Sequence, residues 1–129
     1  MADRIRHCLA PVLSLPAVGQ GALGLECRAD DMELLKIIQP LQHDETSICV
    51  RAERAFNAYL EGGCQVPIAG YATLANDQLS IEGRVGSVDG KTLLKQRLIG
   101  TSEDAEQLGE QLAQCFLEQG AGELLKALY

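Results

Sequence analysis

No Cys-x-x-Cys pair and no apolar run long enough to cross a bilayer occur in this sequence. Each absence removes a class of function. A membrane-spanning helix needs roughly 20 consecutive apolar residues. The stretch from Met1 to His7 leads only into a short apolar patch broken by Pro11 and Pro16, so no signal peptide is expected. Histidine occurs only at His7 and His43, too few for a histidine-rich metal centre. The five cysteines, at 8, 27, 49, 64 and 115, are odd in number, and no close pair lies beside a histidine. That is neither a disulfide framework nor a zinc site, and it fits a reducing, cytoplasmic compartment. Basic residues are outnumbered by acidic ones, 11 to 18, for a formal net charge of −7. Nucleic-acid binding needs the opposite balance over a broad face, which leaves room only for a compact anion site.

What is present is enough for one domain with a real core: 129 residues, 47% of them apolar. A short helix is expected over 2–9, followed by an irregular crossing between Pro11 and Pro16. Residues 22–28 read as a strand ending at Arg28. Gly19-Gln20-Gly21 lacks the third glycine of a dinucleotide fingerprint and precedes that strand rather than following it, so it is not read as a nucleotide site. Asp30 or Asp31 can cap a helix over 32–39 with Leu34, Leu35 and Ile38 inward, ended by Pro40. Residues 1–39 thus resemble an orphan piece of an α/β layer, whose open strand edge offers a route to self-association.

From Asp44 the pattern becomes self-contained. Asp44 is the expected cap of a helix reaching about Leu60, with Ile48, Ala52, Ala55, Phe56 and Tyr59 inward and Glu45, Arg51, Glu53 and Arg54 solvated. The period then changes to two. Strands are expected over 68–75, through Leu79, Ile81, Gly83 and Val85, and over 92–99, with turns at Asn76-Asp77 and Asp89-Gly90. Thr101 and Asp104 resemble a capping box before a helix with Ala105, Leu108, Leu112, Cys115 and Phe116 inward. Gly120 breaks it, and a last short helix carries Ala121, Leu124, Leu125 and Leu128. The expected fold class is α+β: a three-stranded antiparallel sheet covered on one face by helices, over residues 44–129.

Between the long helix and the first strand lies Glu61-Gly62-Gly63-Cys64-Gln65-Val66-Pro67. Two glycines release the helix, and Pro67 restricts the residue before it to extended geometry. Free cysteine is most often a small buried hydrophobe. Cys64, however, falls where secondary structure changes type, a poor place to hide a side chain and a common place for chemistry. The negative end of the preceding helix disfavours its thiolate, so a reactive Cys64 needs a basic helper or a very strong electrophile.

Leu15-Pro16-Ala17-Val18-Gly19-Gln20-Gly21-Ala22-Leu23-Gly24-Leu25-Glu26 and Leu60-Glu61-Gly62-Gly63-Cys64-Gln65-Val66-Pro67 together resemble the porphobilinogen deaminase (hydroxymethylbilane synthase) family. The resemblance covers essentially the whole sequence but only the carboxy-terminal part of the family's three-domain chain. It implies that residues 1–39 correspond to the end of the second domain and a return to the first, and 44–129 to the third. It also implies that Cys64 holds a dipyrromethane cofactor through a thioether. The family joins four porphobilinogen molecules with loss of ammonia; that loss leaves a strongly electrophilic pyrrole, which one thiol can trap without a triad.

The acetate and propionate groups of the substrate and growing pyrrole chain call for arginines. Arg28 matches an active-site arginine of the family, and Arg54 is a weaker candidate. The family's catalytic aspartate belongs to its first domain, and Asp30, Asp31 and Asp44 read better as helix caps. The expectation is therefore no catalytic residue within these 129, a chain inactive by itself, and a free thiol at Cys64. The alternative is a non-catalytic binding or assembly module of the same fold, against which retention of the Gly-Gly-Cys loop counts. A thiol redox protein is disfavoured because no second cysteine stands near Cys64 in the sequence.

Overall fold

The computed structural model describes residues 2–62 and 66–126 of the chain. Helices α1 (Met32–Ile38) and α2 (Asp44–Tyr59) precede strands β1 (Ile68–Ala75), β2 (Gln78–Gly86) and β3 (Leu93–Thr101), and helices α3 (Ala105–Glu118) and α4 (Ala121–Lys126) follow. The strands form one antiparallel sheet in the order β1-β2-β3. The α+β class and the strand boundaries agree with the sequence pattern to within a residue or two.

Alternation along the strands sorts the sheet into two faces. Gly70, Ala72 and Leu74 of β1 pair with Gly83, Ile81 and Leu79 of β2, and these with Gln96, Leu98 and Gly100 of β3. This face meets the helices, where Ala52, Phe56, Leu108, Leu112, Ala113 and Phe116 are buried with Leu79, Ile81 and Val85. The Phe56 and Phe116 rings are tilted by 52° with centroids 5.5 Å apart, within the range of favourable edge-to-face pairs. They rest on a floor without side chains: a Cβ at Gly83 would come within 2.8 Å of both rings. Gly109 does the same between helices, since a side chain there would strike the Ala52 carbonyl and the Phe56 N–H.

The turns follow their chemistry. Asn76 and Asp77 both take left-handed backbone, φ 50° and 62°, which gives the two-residue hairpin the twist its strands need. In the second turn Gly90 has φ 71°. There Asp89 accepts from the Ser87 hydroxyl at 2.6 Å and the Lys91 N–H at 3.2 Å. These hydrogen bonds, the serine's first, hold the Asp89 carboxyl below its ordinary pKa.

Several expectations are corrected. Residues 2–9 do not form a helix: only a 3-10 turn, Ala2–Arg4, is present. Residues 22–28 form no strand. Strand geometry needs a neighbour to take its N–H and C=O groups, and among the described residues none lies beside this stretch in the sheet. α1 does form, capped by Asp31, which accepts from the Leu34 N–H at 3.1 Å, yet it has no buried residue. The cap of α2 is His43, not Asp44; its Nδ1 accepts from the Thr46 N–H. Asp44 instead places its negative charge in the first turn. Thr101 donates to the Asp104 side chain at 2.9 Å, and Asp104 caps α3 without a side-chain bond to the helix backbone. Tyr59 is exposed, whereas Glu53, expected in solvent, is 5% exposed.

The close approach of α2 and α3 gives a test. Gly109→Ala should destabilise the chain by about 1–2 kcal/mol in urea unfolding, because overpacking against backbone outweighs alanine's helix preference. A stabilised variant would contradict the packing described.

Candidate functional site

The Gly-Gly-Cys loop leaves α2 through a tightly held shoulder. Glu61 takes the left-handed conformation, φ 53°, and its N–H donates to the Ala58 carbonyl at 3.0 Å. Asn57 then grips Gly62 from both sides. Its carbonyl accepts from the Gly62 N–H at 2.9 Å, and its Nδ2 donates to the Gly62 carbonyl at 3.0 Å. A side chain at 62 would run into the Asn57 amide, so glycine is required for close approach. On the far side the Pro67 carbonyl accepts from the Gly86 N–H at 2.9 Å, extending the β1–β2 pairing by one bond. Both shoulders are therefore fixed to rigid elements. Cys64, with Gly63 and Gln65, lies outside the described residues.

A second cluster lies further back along α2, where the helix crosses the open edge of β1. Glu53 is buried, and both carboxylate oxygens are used: Oε1 accepts from the Ala72 N–H at 2.8 Å and Oε2 from the Gly19 N–H at 2.7 Å. One turn earlier Cys49 borders the same edge beside Leu74. Glu53 thus caps an amide of an edge strand, which would otherwise be open to another chain. Burial first, then the carboxylates of Glu53 and Glu45, push the Cys49 thiol above its ordinary pKa, with the Leu74 N–H opposing. Between this edge and the 17–22 turn is a cleft of about 480 Å³, bordered by Gln20, His43, Cys49 and Tyr71.

Arg28 sits in the turn before α1, its side chain 82% exposed, 3.3 Å from the helix-capping Asp31. It does not end a strand, as the sequence suggested. Arg54 is exposed on α2. Arg84 is used structurally: its side chain, 11% exposed, pairs with Glu82 at 2.8 Å and donates to the Pro11 and Val12 carbonyls at 3.1 Å. This fastens the proline-rich crossing to the sheet face away from the helices.

Glu53, Asn57 and Arg84 escaped the sequence reading. For Glu53 the signal was present: Cys49, Glu53, Phe56 and Leu60 follow helical spacing along the buried stripe. An acidic residue there reads as solvated in the sequence because its partners, two backbone N–H groups, leave no trace in side-chain patterns. Among the described residues no group of three or more histidine, cysteine or acidic side chains could hold a metal, and no helix is long and apolar enough to cross a membrane.

Two family models match the chain. Residues 47–118 match "Porphobilinogen deaminase, C-terminal domain", and residues 1–36 match "Porphobilinogen deaminase, dipyromethane cofactor binding domain". The fold and these matches define a domain of a transferase that works with a dipyrromethane cofactor. The chain belongs to the porphobilinogen deaminase family, whose activity is that of hydroxymethylbilane synthase in tetrapyrrole biosynthesis.

The environment of Cys49 predicts its reactivity. Because thiolate is the reacting form, Cys49 should be alkylated by iodoacetamide more slowly at about pH 8 than a cysteine in an unstructured peptide. Its rate should still be climbing above about pH 9. Peptide-resolved mass spectrometry measures both; a plateau below pH 8 would contradict the burial and carboxylates described.

Proposed function

We propose that Cys64 is the thioether attachment residue for dipyrromethane, and that Arg28 binds a carboxylate of the cofactor or substrate. The observation carrying this reading is the loop's anchorage. Asn57 holds one shoulder and Gly86 the other, so a thiol at position 64 is tethered within a few residues of rigid backbone. The position falls in the segment matched as C-terminal domain, and Arg28 in the segment matched as cofactor-binding domain.

The residues fit the group by their chemistry. A thioether needs one thiol and no metal or triad. A carboxylate-rich pyrrole needs a planar guanidinium with donors to offer, and the exposed Arg28 faces, among the described residues, the half-buried Asp31 at 3.3 Å, a weak competitor. When bound, the cofactor supplies the primer on which the pyrrole chain grows. Cys64 would hold it covalently, and Arg28 would orient it by bidentate hydrogen bonding. Residues 1–39 then act as part of the domains that enclose the pyrroles, and 44–129 as the attachment domain, in a cytoplasmic enzyme.

Within these 129 residues no carboxylate is assigned to proton handling. Asp31 caps α1, Asp44 lies in the first turn of α2, and Glu53 is committed to two backbone N–H groups. The reading therefore includes catalytic inactivity of the chain by itself and a free thiol at Cys64. Purified chain given porphobilinogen should consume none above the uncatalysed rate, followed colorimetrically. Steady enzyme-dependent consumption would contradict this.

A further inference from the structure

Three hydrogen bonds fix which way each strand presents its backbone. Ala72 N–H leaves the sheet for Glu53, Gly86 N–H turns back to the Pro67 carbonyl, and Ser87 N–H reaches forward to the Thr92 carbonyl. In an antiparallel ladder the N–H and C=O of one residue point to the same side, and the side alternates along the strand. The even-numbered residues of β2 therefore serve β1. The odd-numbered ones serve β3, where Ile81 and Gly83 lie opposite Leu98 and Gln96. That leaves Lys95, Arg97 and Ile99 with N–H and C=O groups directed out of the sheet. Glu53 caps an amide on the β1 edge, but among the described residues no strand pairs with β3 on its outer side.

The same residues carry the exposed side chains of the strand. Leu93, Lys95, Arg97 and Ile99 stand on the face away from the helices, alternating with the half-buried Leu94, Gln96 and Leu98. Register sets Arg97 opposite Glu82, but Arg84 has already taken that carboxylate, at 2.8 Å. Arg97 turns instead to Ser80, donating from Nε to its hydroxyl at 2.7 Å, and both terminal guanidinium nitrogens remain to donate elsewhere. Among the described residues neither Lys95 nor Arg97 has an ion pair. A chain of net charge −7 thus collects Arg84, Lys95 and Arg97 against the single carboxylate of Glu82 on this face of its strands. We propose that the open edge of β3 is a docking site for an extended acidic segment of a partner protein. The segment adds a fourth strand and sets carboxylates two residues apart against Lys95 and Arg97. Leu93 and Ile99, 52% and 57% exposed, receive apolar side chains towards its ends. A second copy of the chain is the poorer occupant. Full-length antiparallel pairing of β3 with itself sets Arg97 against Arg97, and like charges directly opposite are destabilising. The cations that guard this edge against its own copies select an acidic strand. The proposal goes beyond the proposed function and stands whether or not Cys64 carries a cofactor.

Amide-resolved NMR titration of the whole chain with a synthetic peptide tests it. The peptide is as long as β3, nine residues, with two glutamates two positions apart at its centre and a valine near each end. Binding should slow exchange at the Lys95, Arg97 and Ile99 amides, which gain partners, and leave Ala72 unchanged. A peptide with lysines in place of the glutamates should not bind. Neither should the glutamate peptide once the amides that would pair with β3 are methylated. In the double variant Lys95→Glu, Arg97→Glu the glutamate peptide should bind about tenfold more weakly or worse, and the lysine peptide should now bind. Exchange at Ile81 and Leu112 in that variant should match the unaltered chain, since both altered side chains are exposed. No protection at β3 with millimolar glutamate peptide, protection on another surface, or undiminished affinity in the double variant would overturn the proposal. So would sedimentation showing that the chain dimerises through β3 and excludes the peptide.

Discussion

Two phenylalanine rings set on glycine are the contact from which the rest of the architecture follows. Phe56 of α2 and Phe116 of α3 lie against the sheet at Gly83, where any side chain would push them off, and Gly70 gives Phe56 similar room. Gly109 lets the two helices approach until backbone meets side chain. Burying rings of this size supplies much of the apolar driving force of a small domain, and it fixes the position and rotation of α2. Once that rotation is set, Glu53 and Cys49 must face the edge of β1, and the helix must end where Asn57 can grip Gly62.

α2 thus serves several purposes along its 16 residues. Its core side holds the sheet, its middle ties in the amino-terminal turn, and its end carries the shoulder of the Gly-Gly-Cys loop. Glu53 and Tyr59 are six residues apart, or about 9 Å along a helix axis, so the turn's tether and the loop's anchor share one rigid rod. The proposed function would use this arrangement, with the attachment point fixed and Arg28 supplied from a different part of the chain. Under the proposed function that division would run between the two matched segments, 47–118 and 1–36.

The sheet and its helices were legible because periodicity records which side of an element is dry. Leu79, Ile81, Gly83 and Val85 announced β2, and Ala105, Leu108, Leu112 and Phe116 announced α3. The loop was legible through its glycines, proline and resemblance, although the left-handed step of Glu61 was not. What stayed hidden depended on backbone partners far away in sequence. Glu53 answers to amides 34 and 19 residues away, and Arg84 to carbonyls at Pro11 and Val12. Residues 22–28 carry the composition of a strand but pair with no neighbour among the described residues, and composition cannot announce a missing neighbour. His43 rather than Asp44 caps α2, its ring nitrogen accepting from the Thr46 N–H one residue earlier in the chain than the carboxylate pattern suggests.

The central claim is that the thiol at position 64, and no other, is built to hold the pyrrole primer. The most direct measurement is peptide mapping by mass spectrometry across all five cysteines, after the chain has been mixed with a dipyrromethane bearing an aminomethyl leaving group. The account predicts the mass of two pyrroles less ammonia on the Cys64 peptide, and its absence from that peptide in Cys64→Ser. An adduct settling instead on Cys8, Cys27, Cys49 or Cys115, with Cys64 unmodified, would contradict it.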